Sequence, residues 1–193
     1  EGLNKDQILT RMIGKEAEFL QDILAEEILK QQSDELVSML SLLEVFELPV
    51  PKEAIRAVCD KIMDLEEHCK RAVVLGLLEE SQFQGETSYR VPRILTKVLP
   101  DVENSELLEK AAYVAYEIWG LKDEIKSEEL YMEVYRLGKL GKSEKVCIGT
   151  GNALAQLWLE RGRYSDALPL QVEVLEMQRR TFGDEHEDIA SSL

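Results

Sequence analysis

Histidine, cysteine and positive charge are all scarce in this chain, and each shortage removes a class of function. His68 and His186 are the only imidazoles. His68 adjoins Cys69, but neighbours on a helix point about 100° apart and share no ligand position without a further partner. The three cysteines, Cys59, Cys69 and Cys147, are odd in number and form no Cys-x-x-Cys pair, so neither a disulfide framework nor a zinc site is expected. They suit buried thiols in a reducing cytoplasm. No apolar run approaches the roughly 18 residues that cross a membrane, and no signal peptide opens the sequence. Lys and Arg number 23 against 38 Asp and Glu, a net charge of −15. Such a field repels phosphate backbones and anionic lipid, so neither nucleic acid nor membrane is an expected partner. Ser-His-Asp order and a His-Glu-x-x-His pattern are also missing, and we expect no enzyme, no cofactor and no metal. The chain begins at Glu1 and stops inside a pattern, as a fragment would.

What remains is helix-forming. Hydrophobic residues make up 45% and charged residues 32% of 193 residues, with only 11 Gly and 5 Pro, the balance of a helix-rich globular protein. From Lys5 to Gln32, Ile8, Met12, Phe19, Ile23 and Ile28 mark one helical face, with Gly14 its weakest point. Ser33 and Asp34 are N-cap residues, and ELVSMLSLLEVFEL after them is apolar nearly all round, which predicts a central buried helix. Pro51 stands where the next helix can begin. LEEHCKRAVVLGLLEES predicts a third helix, and FQGETSYRVPRIL a hairpin turning at Gly85. Beyond Asn104 the predicted helices are ELLEKAAYVAYEIWGL, SEELYMEVYRLGKL, KVCIGTGNALAQLWLERG and YSDALPLQVEVLEMQRRTFG, whose short connections imply antiparallel helix pairs. Trp119 and Trp158 lie 39 residues apart in similar settings, which points to a repeat.

LAQLWLERGRYSDA, residues 154 to 167, resembles the tetratricopeptide repeat of the kinesin light chain variety. Leu154, Ala155 and Trp158 match its first helix, Gly162-Arg163-Tyr164 its turn and Ala167 its second helix. The small residues are expected to let the helices approach, and Tyr164 and Trp158 to fill the wedge between them. Residues 106 to 140 resemble a degenerate repeat without the Gly-x-Tyr turn. SLLEVFELPVPKEAIRAVC, RAVVLGLLEES and YRVPRIL look like the winged-helix module of STAND signal-transduction ATPases, the bacterial relatives of NB-ARC proteins. The resemblance implies a mainly α chain in three parts: a helical spacer (1–33), a winged helix with a small β-hairpin (34–103), and α-α superhelical repeats (104–193). The ATPase core is absent, and Pro92 occupies the place of the family's nucleotide-sensing histidine.

Sharper readings of several stretches give way to plainer ones. RLGKLGKSEK ends like a phosphate-binding loop, but the GxxxxGK[ST] form needs glycine at 136 and has Arg136, so Gly138 and Gly141 are expected to end one helix and turn into the next. Residues 34–103 carry 14 acidic and 8 basic residues, which disfavours the alternative reading as a DNA-binding transcription regulator with a repeat-type sensor arm. Glu26-Glu27, Glu66-Glu67 and Glu79-Glu80 are expected on solvated helix faces. Met12, Met39, Met63, Met132 and Met177 are expected as core gap fillers. The expected function is a non-enzymatic protein-binding and regulatory scaffold, with the winged helix coupling the repeats to a missing nucleotide-binding core. Asn152, Gln156 and Glu160 would face a peptide in the repeat groove; a structural capping role for Asn152 stands beside that reading. His186 suits a turn between repeats, and an exposed apolar C-terminal edge would allow self-association.

Overall fold

The structure, a computed structural model, describes residues 23–101, 105–120 and 127–182. The expectations for Met12, Gly14, His186 and the C-terminal segment after Phe182 lie outside the described residues. Residues 23–30 are helical (α1). The order continues α2 (Asp34–Leu43), β1 (Val50–Pro51), α3 (Lys52–Val58), α4 (Leu65–Val74), β2 (Glu79–Phe83), β3 (Glu86–Arg90), a 3-10 turn (Arg93–Lys97), α5 (Ser105–Ala115), a π turn (Tyr116–Gly120), α6 (Glu128–Leu140), α7 (Glu144–Glu160) and α8 (Tyr164–Phe182). The chain is mainly helical, with one small antiparallel sheet and C-terminal helices stacked in pairs.

Local chemistry explains most boundaries. Ser33 caps α2, its Oγ accepting from the Leu36 amide at 3.3 Å. The expected continuation of α2 to Leu48 does not occur. The helix stops at Leu43, ahead of Leu48, the first residue that Pro49 pushes out of the helical region, and the chain that follows is held by α6 instead, Glu133 accepting from the Glu47 amide and Arg136 donating to Val45 O. Val50 and Pro51 instead pair with Tyr89 and Ser88 of β3, so the predicted hairpin gains a third strand in the order β1-β3-β2. Pro51 is tolerated there because β1 is an edge. The hairpin turns on Gln84 and Gly85 with φ of 52° and 81°, the two left-handed residues that a type I′ turn requires.

α4 ends at Val74, well short of the expected Ser81. Gly76 takes φ 71°, its amide bonds Val73 O, and the Leu77 amide reaches back to Ala72 O at 2.8 Å. This is a Schellman closure, and it releases Glu79 into β2. The same closure recurs at Gly162, where Arg163 N bonds Trp158 O, and at Lys142, where Ser143 N bonds Gly138 O. RLGKLGKSEK therefore contains a turn, residues 141–143, between α6 and α7; Gly138 stays inside α6 and does not end it, and Lys142, not Gly141, supplies the left-handed residue. The glycines serve close approach instead. A Cβ on Gly138 would meet Cys147 Sγ at 2.9 Å, and one on Gly141 would meet the backbone of Glu109 and Leu108 at 2.7–2.8 Å.

One hydrophobic cluster runs from Ala25 to Val146 and so passes through residue 104, where the repeats were expected to begin. α5 and α6 share it with α2, α3 and the sheet because Leu107, Ala111, Ala115, Leu130 and Leu137 turn their side chains toward those elements. A second cluster, including Tyr131, Leu154, Leu157, Leu170 and Met177, joins α6 to the α7–α8 pair. Met39 and Met177 are core residues as expected, whereas Met63 and Met132 are exposed. Met63 precedes α4, and Met132 lies on the outer face of α6, away from the buried Leu130, Tyr131 and Val134. The paired glutamates are exposed, but Glu79 and Glu80 lie on strand β2 and not on the expected helix face, and several are engaged: Glu66 with Lys52 and Arg56, Glu79 with Arg90, and Glu26 and Glu27 with Lys30.

Candidate functional site

α7 is built to present one polar line. Val146, Thr150, Leu154, Ala155 and Leu157 are buried, while Asn152, Gln156 and Glu160, four residues apart, stay exposed. Four-residue spacing keeps them on one face of the helix. Gln156 Nε2 donates to Glu160 Oε1 at 3.3 Å. The Asn152 amide has no hydrogen-bond partner among the described residues, so no capping contact occupies it there. It offers both donor and acceptor to an incoming chain.

The π turn that follows α5 packs against α7. Gly149, less than one turn before Asn152, is opposed by Tyr116, and a Cβ there would collide with the phenol oxygen. The exposed Tyr113 and Glu117 precede Asn152 and Gln156 by the same interval that separates the two tryptophans. Equivalent positions on the two helices are thus both solvent-facing, while Trp119 is buried and Trp158 half-buried.

The α6–α7–α8 stack is held at one end by Glu128. Trp158 Nε1 donates to Glu128 Oε1 at 2.8 Å, and Arg161 and Arg163 donate to the same carboxylate. The indole bond first, and then Arg163, hold the Glu128 carboxyl below its usual range. Arg163 also lies over the Trp158 ring, 5.1 Å from its centroid, in cation–π range. Arg163 therefore covers Trp158 where Tyr164 was expected to help fill the wedge. Tyr164 is 67% exposed. It is the first residue of α8, and because side chains tilt toward a helix N-terminus it leans out past the pair. Nothing in the sequence pattern marks Glu128 as the common partner of three residues some 30 positions later.

Other chemistry is sparse. Cys59, Cys69 and Cys147 are buried and free, and burial pushes the Cys59 thiol up to about 12 and Cys147 up to about 11. Such thiols stay protonated near neutrality and are poor nucleophiles. Among the described residues, no group of three or more His, Cys, Asp or Glu is arranged to hold a metal ion. No described helix is long and apolar enough to cross a membrane.

Comparison with known proteins agrees with the repeat geometry. No curated protein and no solved structure matches the chain. Residues 148–188, which take in most of α7 and all of α8, match the tetratricopeptide repeat family, in its kinesin light chain variety. A repeat of this family points to protein partners in general terms.

Proposed function

We propose that this chain is a non-enzymatic protein-binding module, in which the solvent-facing line Asn152, Gln156 and Glu160 on α7 receives an extended peptide. The observation that carries the reading is the Asn152 amide, without a hydrogen-bond partner among the described residues, within a helix pair that matches the tetratricopeptide repeat. A random peptide library displayed on phage and selected against the whole chain should yield binders. Asn152→Ala should weaken them at least tenfold, about 1.4 kcal/mol, with the fold intact because the residue is exposed. Enrichment of no peptide, or binders indifferent to both Asn152→Ala and Gln156→Ala, would refute the assignment.

Within this reading, residues 34–103 serve as a winged helix that passes repeat occupancy to a nucleotide-binding core of the STAND type. The three helices α2, α3 and α4 followed by a hairpin support that assignment, as does their order before the repeats. α4 carries exposed Glu66 and Glu67 beside Lys70 and Arg71, which suits packing against protein better than entry into a DNA groove. A P-loop domain encoded directly upstream of Glu1 would support this scheme; a parent protein without one would overturn it.

The outer face of α8 exposes Tyr164, Leu168, Val172 and Phe182. Contiguous exposed apolar surface commonly marks an interaction site, and we assign it to self-association. Light scattering should show the mass rising from monomer toward dimer with concentration, and Leu168→Glu should hold the chain as a monomer. A wild-type chain that remains strictly monomeric at high concentration would eliminate this assignment.

A further inference from the structure

A cleft of about 650 Å³ opens between the C-terminal end of α2, the 3-10 turn Arg93–Lys97 and the α5–α6 pair. Its size lies within the range of roughly 300–1,000 Å³ found for small-molecule sites. It is distinct from the α7 face, and nothing in the peptide-binding reading uses it.

The lining sorts by chemistry. Leu108 and Leu140 contribute an apolar wall from the first helix pair. Arg93 lines the cleft from the 3-10 turn, and its guanidinium has no hydrogen-bond or ion-pair partner among the described residues. Glu44, Glu47 and Asp101 line the same space. Glu47 already faces Arg136 at 3.4 Å, which leaves Glu44 and Asp101 close together without a cation of their own. Burial, and then the neighbouring Asp101, push the Glu44 carboxyl above its usual range. Ser41 is 5% exposed, lines the cleft, and its Oγ has no hydrogen-bond partner among the described residues. Buried hydroxyls are seldom left in that state unless something absent from the bare chain satisfies them.

An unpartnered cation, two uncompensated carboxylates, an orphan hydroxyl and an aliphatic wall together describe a small ligand carrying both charges and an apolar tail. We propose that this cleft binds a free α-amino acid with an aliphatic side chain: Arg93 takes its carboxylate, Glu44 and Asp101 take its ammonium group, Ser41 adds a hydrogen bond, and its side chain lies on Leu108 and Leu140. Ser41, Glu44, Arg93 and Asp101 belong to the N-terminal elements, whereas Leu108 and Leu140 belong to the first helix pair. An occupied cleft therefore ties the two together, and ligand binding stabilises that arrangement by mass action.

The test is a titration of the whole chain followed by amide ¹H–¹⁵N spectra, with L-leucine, L-leucinamide and N-acetyl-L-leucine each taken to about 10 mM, a range that detects weak binding. L-Leucine should move the amides of Ser41, Arg93 and Leu140 saturably. Each blocked analogue lacks one charge and should bind at least tenfold more weakly. Arg93→Ala, at an exposed and unpaired side chain, should leave the α7 and α8 signals in place while abolishing the preference for leucine over leucinamide. The proposal is overturned if leucine, isoleucine, valine and methionine all fail to give a saturable shift. Equal binding of the blocked analogues overturns it too, as does wild-type affinity in Arg93→Ala.

Discussion

Gly141→Ala should destabilise the chain by about 3 kcal/mol, the upper end of the usual cost of overpacking, and lower its melting temperature by roughly 9 °C for a domain of this size. The cause is steric and not conformational. Gly141 has φ −79°, which any residue adopts, but a methyl group there would sit 2.7 Å from the Glu109 amide nitrogen and 2.8 Å from Glu109 Cα. Those are backbone atoms of α5, so no rotamer change relieves the clash and one helix must move away from the turn. Gly162→Ala is the matched control. Its φ of 73° disfavours a side chain, yet nothing lies within 4 Å of the added carbon, and the expected cost is only about 1 kcal/mol. Thermal and urea unfolding of the two variants separate the causes. Equal losses in both would show that the α5 approach is not what glycine serves at position 141.

The second large effect falls on Glu133. Its side chain is 4% exposed, and every strong contact it makes is charge-assisted or to backbone. Oε1 accepts from the Glu47 amide at 2.8 Å and from Arg136 Nη2 at 2.8 Å, while Oε2 accepts from Arg136 Nε at 2.7 Å. Arg136 Nη2 also donates to Val45 O at 2.7 Å. The pair thus clamps α6 to the chain that leaves α2. Removing one member of a buried pair costs 3–5 kcal/mol because the other is stranded. Arg136 is 29% exposed and keeps Glu47 at 3.4 Å, so Glu133→Ala should fall near the low end, about 3 kcal/mol. Glu133→Gln, which retains an acceptor for the Glu47 amide, should lose about half as much. Glu133→Ala combined with Arg136→Ala should cost less than the two single changes added together, by about 2 kcal/mol. Strict additivity in urea denaturation would mean the pair is not coupled.

Both effects rest on features the sequence concealed in different ways. The sequence places Gly141 in a turn but does not reveal its purpose, because a turn glycine and a close-approach glycine look identical until the neighbouring helix is in place. Glu133 was invisible: in ELYMEVYRL it occupies one more charged position in an amphipathic helix, and only its burial against residues 45–47 distinguishes it. Met132, one residue earlier, erred in the other direction, an apolar side chain left in solvent. At the candidate site, Asn152, Gln156 and Glu160 are picked out by their positions in the repeat that the sequence resembles, and all three are exposed. The carboxylate that holds Trp158, Arg161 and Arg163 is not, since Glu128 is about 30 residues away and on another helix.

Sequence by itself determined the elements whose hydrogen bonds close within a few residues: the Ser33 cap, the start of α3 after Pro51, the two-residue hairpin turn at Gly85, the helix pair around Gly162, and the repeat that α7 and α8 form. Side-chain chemistry and backbone preference act there over one or two turns, and a linear pattern records them. Tertiary structure alone decided the early end of α2, the addition of Val50–Pro51 to the sheet, the continuity of one core through residue 104, the Glu133–Arg136 clamp and the cleft lined by Arg93. Each of these depends on which distant surfaces come into contact, and on the space left between them, and contacts across such separations carry no period that a sequence can display.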